Sequence, residues 1–269
     1  MQAIARPLLI AAAALWLFGC TEEPMPTPPV SQASTGPTVQ LALRMNWPPP
    51  LAEAEKKKDP AVTTLAENVL ARAYYLVFDA SSSMEGSACG GSGTKIDVAK
   101  TAAAEFINAL RDDDNVGLLV FDGRGVAERI AIGSGRTHKT LLTAAIRKIE
   151  AGNGTPLHDA VSRGYRQITA QARRQLGYGR YMLVVLTDGE ANPGQDPGQI
   201  VDHIVRYSPV EVRTIGFCIG ERHSLNRPGL TFYVEARDLA SLRRGFQEVL
   251  AEAPAFDATT ARRRVERWT

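Results

Sequence analysis

The sequence predicts an α/β domain: a doubly wound, mostly parallel sheet of about six strands, with helices on both faces and one antiparallel edge strand. Three observations carry this. Near-continuous apolar runs, as expected of strands buried on both faces, recur at residues 74–78, 116–121 and 181–186. Segments of helical, amphipathic period separate them. Short stretches bearing side-chain oxygens follow two of the runs directly, Asp79-Ala80-Ser81-Ser82-Ser83 and Thr187-Asp188-Gly189.

Taken in order, residues 74–78 (Tyr-Tyr-Leu-Val-Phe) form the first buried strand. Residues 95–110 follow as a helix with Ile96, Ala99, Ala103, Phe106, Ile107 and Leu110 on one side. Residues 116–121 make a second buried strand, and 126–132 alternate as an edge strand would. Helices are expected over 139–150 and 156–175, the second opened by Thr155 as N-cap and Pro156 at the first helical position. The next central strand is 181–186. A helix over 200–207, strands over 210–219 and 230–235, and a closing helix over 239–251 complete the domain, which spans residues 61–255. Right-handed crossovers place the carboxyl ends of the strands along one rim, and ligands of open α/β sheets bind there, where strand order reverses. Asp79 and Asp188 converge if their strands are neighbours at that point.

The ends of the chain read differently. Residues 1–20 have the form of an export signal: Arg6, then an eleven-residue apolar run over 8–18 that is shorter than the roughly 20 residues needed to span a bilayer. The run closes with Leu17-Phe18-Gly19-Cys20, which resembles the lipobox of bacterial lipoproteins. That resemblance implies cleavage before Cys20, lipid on its sulfur, and residence in the bacterial cell envelope. Thr21, rather than Asp, favours the outer membrane, with the domain in the periplasm or at the surface. Residues 21–60 hold nine of the sixteen prolines and read as an extended tether. Within it, 39–47 is apolar enough to pack on the domain as a short strand. Residues 256–269 are a basic tail containing Arg262-Arg263-Arg264 and Arg267. The net charge of +2 becomes +1 once Arg6 leaves with the signal, which gives no electrostatic argument for nucleic acid.

The third oxygen-bearing stretch is Gly154-Thr155-Pro156-Leu157, at a helix start. None of the three stretches contains Cys or His, so together they offer hydroxyl and carboxylate oxygens, the preference of a hard divalent cation such as Mg²⁺, with Mn²⁺ or Ca²⁺ as alternatives. Asp79-x-Ser81-x-Ser83 after a buried strand, Thr155 within Gly-Asn-Gly-Thr-Pro-Leu, and Asp188 within Leu-Thr-Asp-Gly resemble, in order and spacing, the metal-ion-dependent adhesion site of the von Willebrand factor type A domain, whose fold is Rossmann-like. The resemblance covers roughly residues 70–252 and includes all five site positions. It implies that Ser81, Ser83 and Thr155 coordinate the metal through hydroxyls, while Asp79 and Asp188 act largely through bound waters or hydrogen bonds to the ligating groups. Ser82 stands where the family commonly has Gly. The implied function is a non-catalytic binding module whose cation takes an Asp or Glu from a partner protein.

Enzymatic readings are weaker. Gly90-Gly91-Ser92-Gly93-Thr94-Lys95 has its Thr and Lys in the wrong order for a phosphate-binding P-loop. Ser92-x-x-Lys95 lacks the partner motifs of penicillin-binding enzymes, and no Gly-x-Ser-x-Gly elbow surrounds Ser81 or Ser83. His138, His158, His203 and His223 lack zinc spacing and read as surface residues, with His158 one turn from the rim; Asp122 reads as a turn residue near it. A Mg²⁺-assisted hydrolase, or an accessory subunit beside an assembly ATPase, is the alternative. Cys89 and Cys218 fall on the same edge of the expected sheet and are predicted to pair, pinning the 87–93 loop near the metal.

Overall fold

The computed structural model describes residues 46–51 and 64–251. Strand β1 (Arg72–Asp79) is the centre of the sheet; residues 73–78 have no exposed surface. A 3-10 turn (Ser82–Glu85) and helix α1 (Lys95–Ala109) lead to β2 (Asn115–Asp122) and its hairpin partner β3 (Gly125–Gly133). Helices α2 (Arg136–Arg147) and α3 (Leu157–Arg174) precede β4 (Arg180–Thr187), and α4 (Gly198–Tyr207), β5 (Glu211–Phe217), β6 (Phe232–Ala236) and α5 (Leu239–Leu250) complete the order. The six strands lie as β3-β2-β1-β4-β5-β6, with β3 antiparallel to β2 and every other pair parallel. This is the doubly wound α/β architecture that the sequence predicts.

Alternation along β1 divides the core into two layers. Tyr74, Leu76 and Phe78 pack with Phe106 of α1, Ile146 of α2 and Phe246 of α5, the rings of Phe106 and Phe246 stacking at 4.8 Å. Tyr75 and Val77 face the other way, against Leu157, Val161 and Ile168 of α3 and Val201 and Ile204 of α4. Gly164 lets α3 lie close on the sheet, since a Cβ there would sit 2.7 Å from Leu183 and 3.1 Å from Val77. With β1 flanked by β2 on one side and β4 on the other, strand order reverses at β1, and the rim above β1 and β4 becomes the crevice.

Several boundaries differ from those expected. Helix α2 starts at Arg136 because Gly135, at φ 94°, turns the chain into it three residues early. Helix α3 starts at Leu157, with Pro156 rather than Thr155 in the N-cap position and no side-chain cap. Thr155 is instead held as a loop residue by Asn192. Strand β5 stops at Phe217 because Cys218 turns to φ 61°, and β6 begins two residues later than expected. The signal at 1–20, Cys20, most of the 21–60 tether and the 256–269 tail lie outside the described residues, as does nearly all of the expected strand over 39–47. Among the described residues, no helix is long and apolar enough to cross a membrane.

Trp47 is described, and it packs on the domain. It is 8% exposed, meets the Tyr181 ring edge-on at 5.0 Å, and donates its indole N–H to the Tyr165 hydroxyl at 3.1 Å. Arg173 Nε donates to Pro49 O at 2.8 Å beside it. Trp47→Ala is expected to lower stability by roughly 3 kcal/mol, read as a shifted urea midpoint.

Candidate metal centre

Strand β1 ends by burying Asp79 completely. Its Oδ1 accepts the Ser81 backbone N–H at 2.8 Å, and its Oδ2 accepts the Thr187 hydroxyl from the end of β4 at 2.6 Å. Oδ1 therefore shapes the turn after β1, while Oδ2 ties that turn to the end of the neighbouring strand β4. Burial, and next the negative charge of Asp188, push the Asp79 carboxyl up to about 6, against the opposing pull of its hydrogen bonds to Ser81 and Thr187.

Beyond β1 the chain turns through Ser81 into the 3-10 turn, anchored below by the fully buried Met84. Ser83 donates its hydroxyl to Asp188 Oδ1 at 2.6 Å. Having given away its single proton, it accepts from the Ser81 hydroxyl, 3.0 Å away. Asp188, buried just past β4, takes the Lys95 ammonium on its other oxygen at 2.5 Å. Ser83 is exposed, so the cluster opens to solvent through it.

The Gly154-Thr155 loop is tied into the same rim. Ser82 N–H donates to Asn153 O at 2.9 Å, and Gly152 N–H donates to Ala80 O at 2.8 Å. Asn192 grips Thr155 twice, its Oδ1 accepting Thr155 N–H and its own N–H donating to Thr155 O, both at 3.0 Å. Gly154 leaves room for this contact, because a Cβ would lie 2.3 Å from the Asn192 amide and displace it. A Cβ on Gly189 would lie 3.7 Å from both Ser83 Oγ and Thr155 Oγ1, so these two hydroxyls converge on one point of the Asp188-Gly189 turn.

The oxygens of Asp79, Ser81, Ser83, Thr155 and Asp188 thus gather from three loops on the rim above β1 and β4. Their donor set suits a hard cation. The carboxylates take hydroxyl protons, leaving serine lone pairs free, and of the two buried carboxylates Asp188 carries the Lys95 ammonium while Asp79 is held by neutral donors. Among the described residues, no group of three or more His, Cys, Asp or Glu side chains is placed to hold a metal, so a metal here relies on the hydroxyls.

The sequence profile described as the von Willebrand factor type A domain matches residues 75–241. The chain belongs to that family. Solved structures share its fold. BatB, a conserved hypothetical protein from Bacteroides thetaiotaomicron, aligns with a TM-score of 0.54 at 17% identity, over 66% of this chain and 97% of its own. Proximal thread matrix protein 1 from the mussel byssus, in a form with a zinc-occupied MIDAS motif, aligns with a TM-score of 0.52 at 16% identity, over 69% of this chain and 46% of its own. The pilus adhesin SpaC from Lactobacillus rhamnosus GG gives 0.51 at 15%, over 69% of this chain and 31% of its own. The chain thus spans nearly all of BatB but less than half of the other two. No curated protein sequence matches it.

Four residues that position this von Willebrand A site escaped sequence reading. In the sequence Lys95 reads as the first residue of a helix and as part of incomplete motifs, Thr187 as part of the Thr-Asp-Gly stretch, and Asn192 carries no signal of its own. His223, expected on the surface with the other histidines, is buried. Its Nδ1 accepts Leu225 N–H, so Nε2 carries the proton and donates to Gly189 O at 3.0 Å, bracing the Asp188-Gly189 turn. His138 is half-buried against Val116 O, His203 is exposed, and the partly exposed His158 lies 3.4 Å from Asp159. Asp122 is the turn residue expected, its carboxylate filled by Arg124 and Arg129.

Cys89 and Cys218 are joined by a disulfide, with Cα atoms 5.9 Å apart across 129 residues. It closes the 87–93 loop onto the end of β5, next to Lys95. Reduction is expected to lower stability by about 2–5 kcal/mol and to expose that loop to protease; an unchanged denaturation midpoint with dithiothreitol would contradict this.

Because the folded Asp79 carboxyl binds its proton more tightly than the unfolded one, its contribution to stability is full below about pH 4 and lost as pH rises through about 6. In EDTA, Asp79→Asn is therefore expected to melt higher than the wild type at pH 7.5, by the equivalent of about 1 kcal/mol or more, with the gap closing at pH 4. Thermal melts of both proteins at the two pH values check this, and a gap that widens on acidification would refute it.

Proposed function

We propose that this chain is a metal-dependent protein-binding module displayed from the bacterial envelope. The observation that carries the proposal is the hydroxyl relay Ser81–Ser83–Asp188, with Thr155 converging on the same turn, at the open rim of the sheet's crevice. In this reading Ser81, Ser83 and Thr155 hold the cation through their hydroxyls. Asp79 and Asp188 orient them and balance the charge. Mg²⁺ is the favoured ion, with Mn²⁺ and Ca²⁺ fitting the same oxygens. When bound, the ion supplies an electrophilic position that accepts an Asp or Glu carboxylate from a partner protein.

Both carboxylates are committed to hydrogen bonds inside the protein, which favours ligand capture over hydrolysis: neither is left to act as a general base toward water. The zinc-occupied motif of the mussel protein supports divalent-metal binding, and the pilus adhesin supports a role in adhesion. Lipid on Cys20 and a proline-rich tether would hold the domain off the membrane, favouring the outer membrane.

Envelope extract passed over the immobilised domain in Mg²⁺ or in EDTA tests this, with Asp79→Ala as the control. Capture of a polypeptide that both EDTA and Asp79→Ala reduce at least about tenfold is expected. Capture indifferent to EDTA would refute the metal bridge.

A further inference from the structure

The ammonium of Lys95 stands against a carboxylate that the proposed function assigns to a divalent cation. Its side chain is 11% exposed and that of Asp188 not at all, and they meet at 2.5 Å. The placement is built in. Lys95 opens α1, where Thr94 and Asp97 form a reciprocal capping box, and its own N–H donates to Gly86 O at 2.8 Å. The disulfide at Cys89 closes the loop immediately before it.

We infer that Lys95 is a resident cation. Its ammonium pairs with Asp188, competes with a divalent ion for that carboxylate, and so makes the ion's affinity depend on an anionic partner. This rests on reading the oxygen cluster as a metal site. Without the ammonium, the paired carboxylates of Asp79 and Asp188 would repel each other in a buried crevice where solvent screens little. Lys95 offsets that repulsion. It must release Asp188, or remain beside a second positive centre, before the same carboxylate can serve a bound ion. Either course weakens binding of the bare ion. A partner's carboxylate relieves the excess positive charge, and by linkage each ligand then tightens the other.

Lys95→Gln keeps an N–H donor for Asp188 and removes the charge; Lys95→Met removes both. Titration calorimetry with MnCl₂ on the wild type and both variants is expected to show Mn²⁺ binding at least about tenfold more tightly to each variant. The rise in melting temperature on adding Mn²⁺ is expected to be larger in the variants than in the wild type. Should Lys95→Met fail to fold in EDTA, Lys95→Gln carries the comparison. Equal or weaker Mn²⁺ binding by Lys95→Gln overturns the role of Lys95 while leaving the metal site intact. Absence of Mn²⁺ binding in all three proteins overturns both.

Discussion

Parallel pairing of β1 with β4 brings Asp79 and Asp188 into one buried crevice, and much of the rim can be understood as a response to that juxtaposition. Two carboxylates taken out of water need donors on every oxygen or a cation between them. The protein supplies the donors from three directions: backbone from the turn after β1, hydroxyls from Ser83 and Thr187, and an ammonium from the start of α1. What remains is a cluster rich in negative charge and short of positive charge, open through Ser83. Such a cluster is suited to take up a cation.

A second set of contacts keeps that crevice in shape. Asn192 fixes Thr155 through its side-chain oxygen and its own backbone N–H, His223 braces Gly189, and the disulfide joins the loop ahead of α1 to the end of β5. None of these groups belongs to the oxygen cluster. They act by removing freedom from the three loops that do, so the donors are organised before any ligand arrives and less ordering is required on binding.

The fold and the five oxygen donors were legible in the sequence for different reasons. Strands buried on both faces are written as apolar runs, so β1, β2 and β4 stood out without any family resemblance, and short Asp-Ser-Ser and Thr-Asp-Gly stretches at their ends marked the rim. The pairing of Cys89 with Cys218 followed once both were placed on one edge of the sheet. Less legible were residues whose role depends on a distant contact. Lys95 acts across 93 residues, Asn192 across 37 and His223 across 34, and no local periodicity encodes such a reach. Thr155 was misread as a helix cap because a Thr-Pro pair at a helix start ordinarily is one; here Asn192 claims its backbone and the helix begins two residues later. Strand β5 is shorter than its apolar pattern suggests because the backbone turns to φ 61° at Cys218, and the apolar run through Cys218 and Ile219 carries no mark of that turn.

On the proposed function, these five scattered oxygens surround a single cation. Anomalous diffraction from crystals soaked in MnCl₂ addresses it most directly. One strong peak among Ser81 Oγ, Ser83 Oγ and Thr155 Oγ1, facing Asp188, is the expected result. A Mn²⁺ peak elsewhere on the domain, with Ser83 left to Ser81 and Asp188 and with Lys95 still on Asp188, would contradict it.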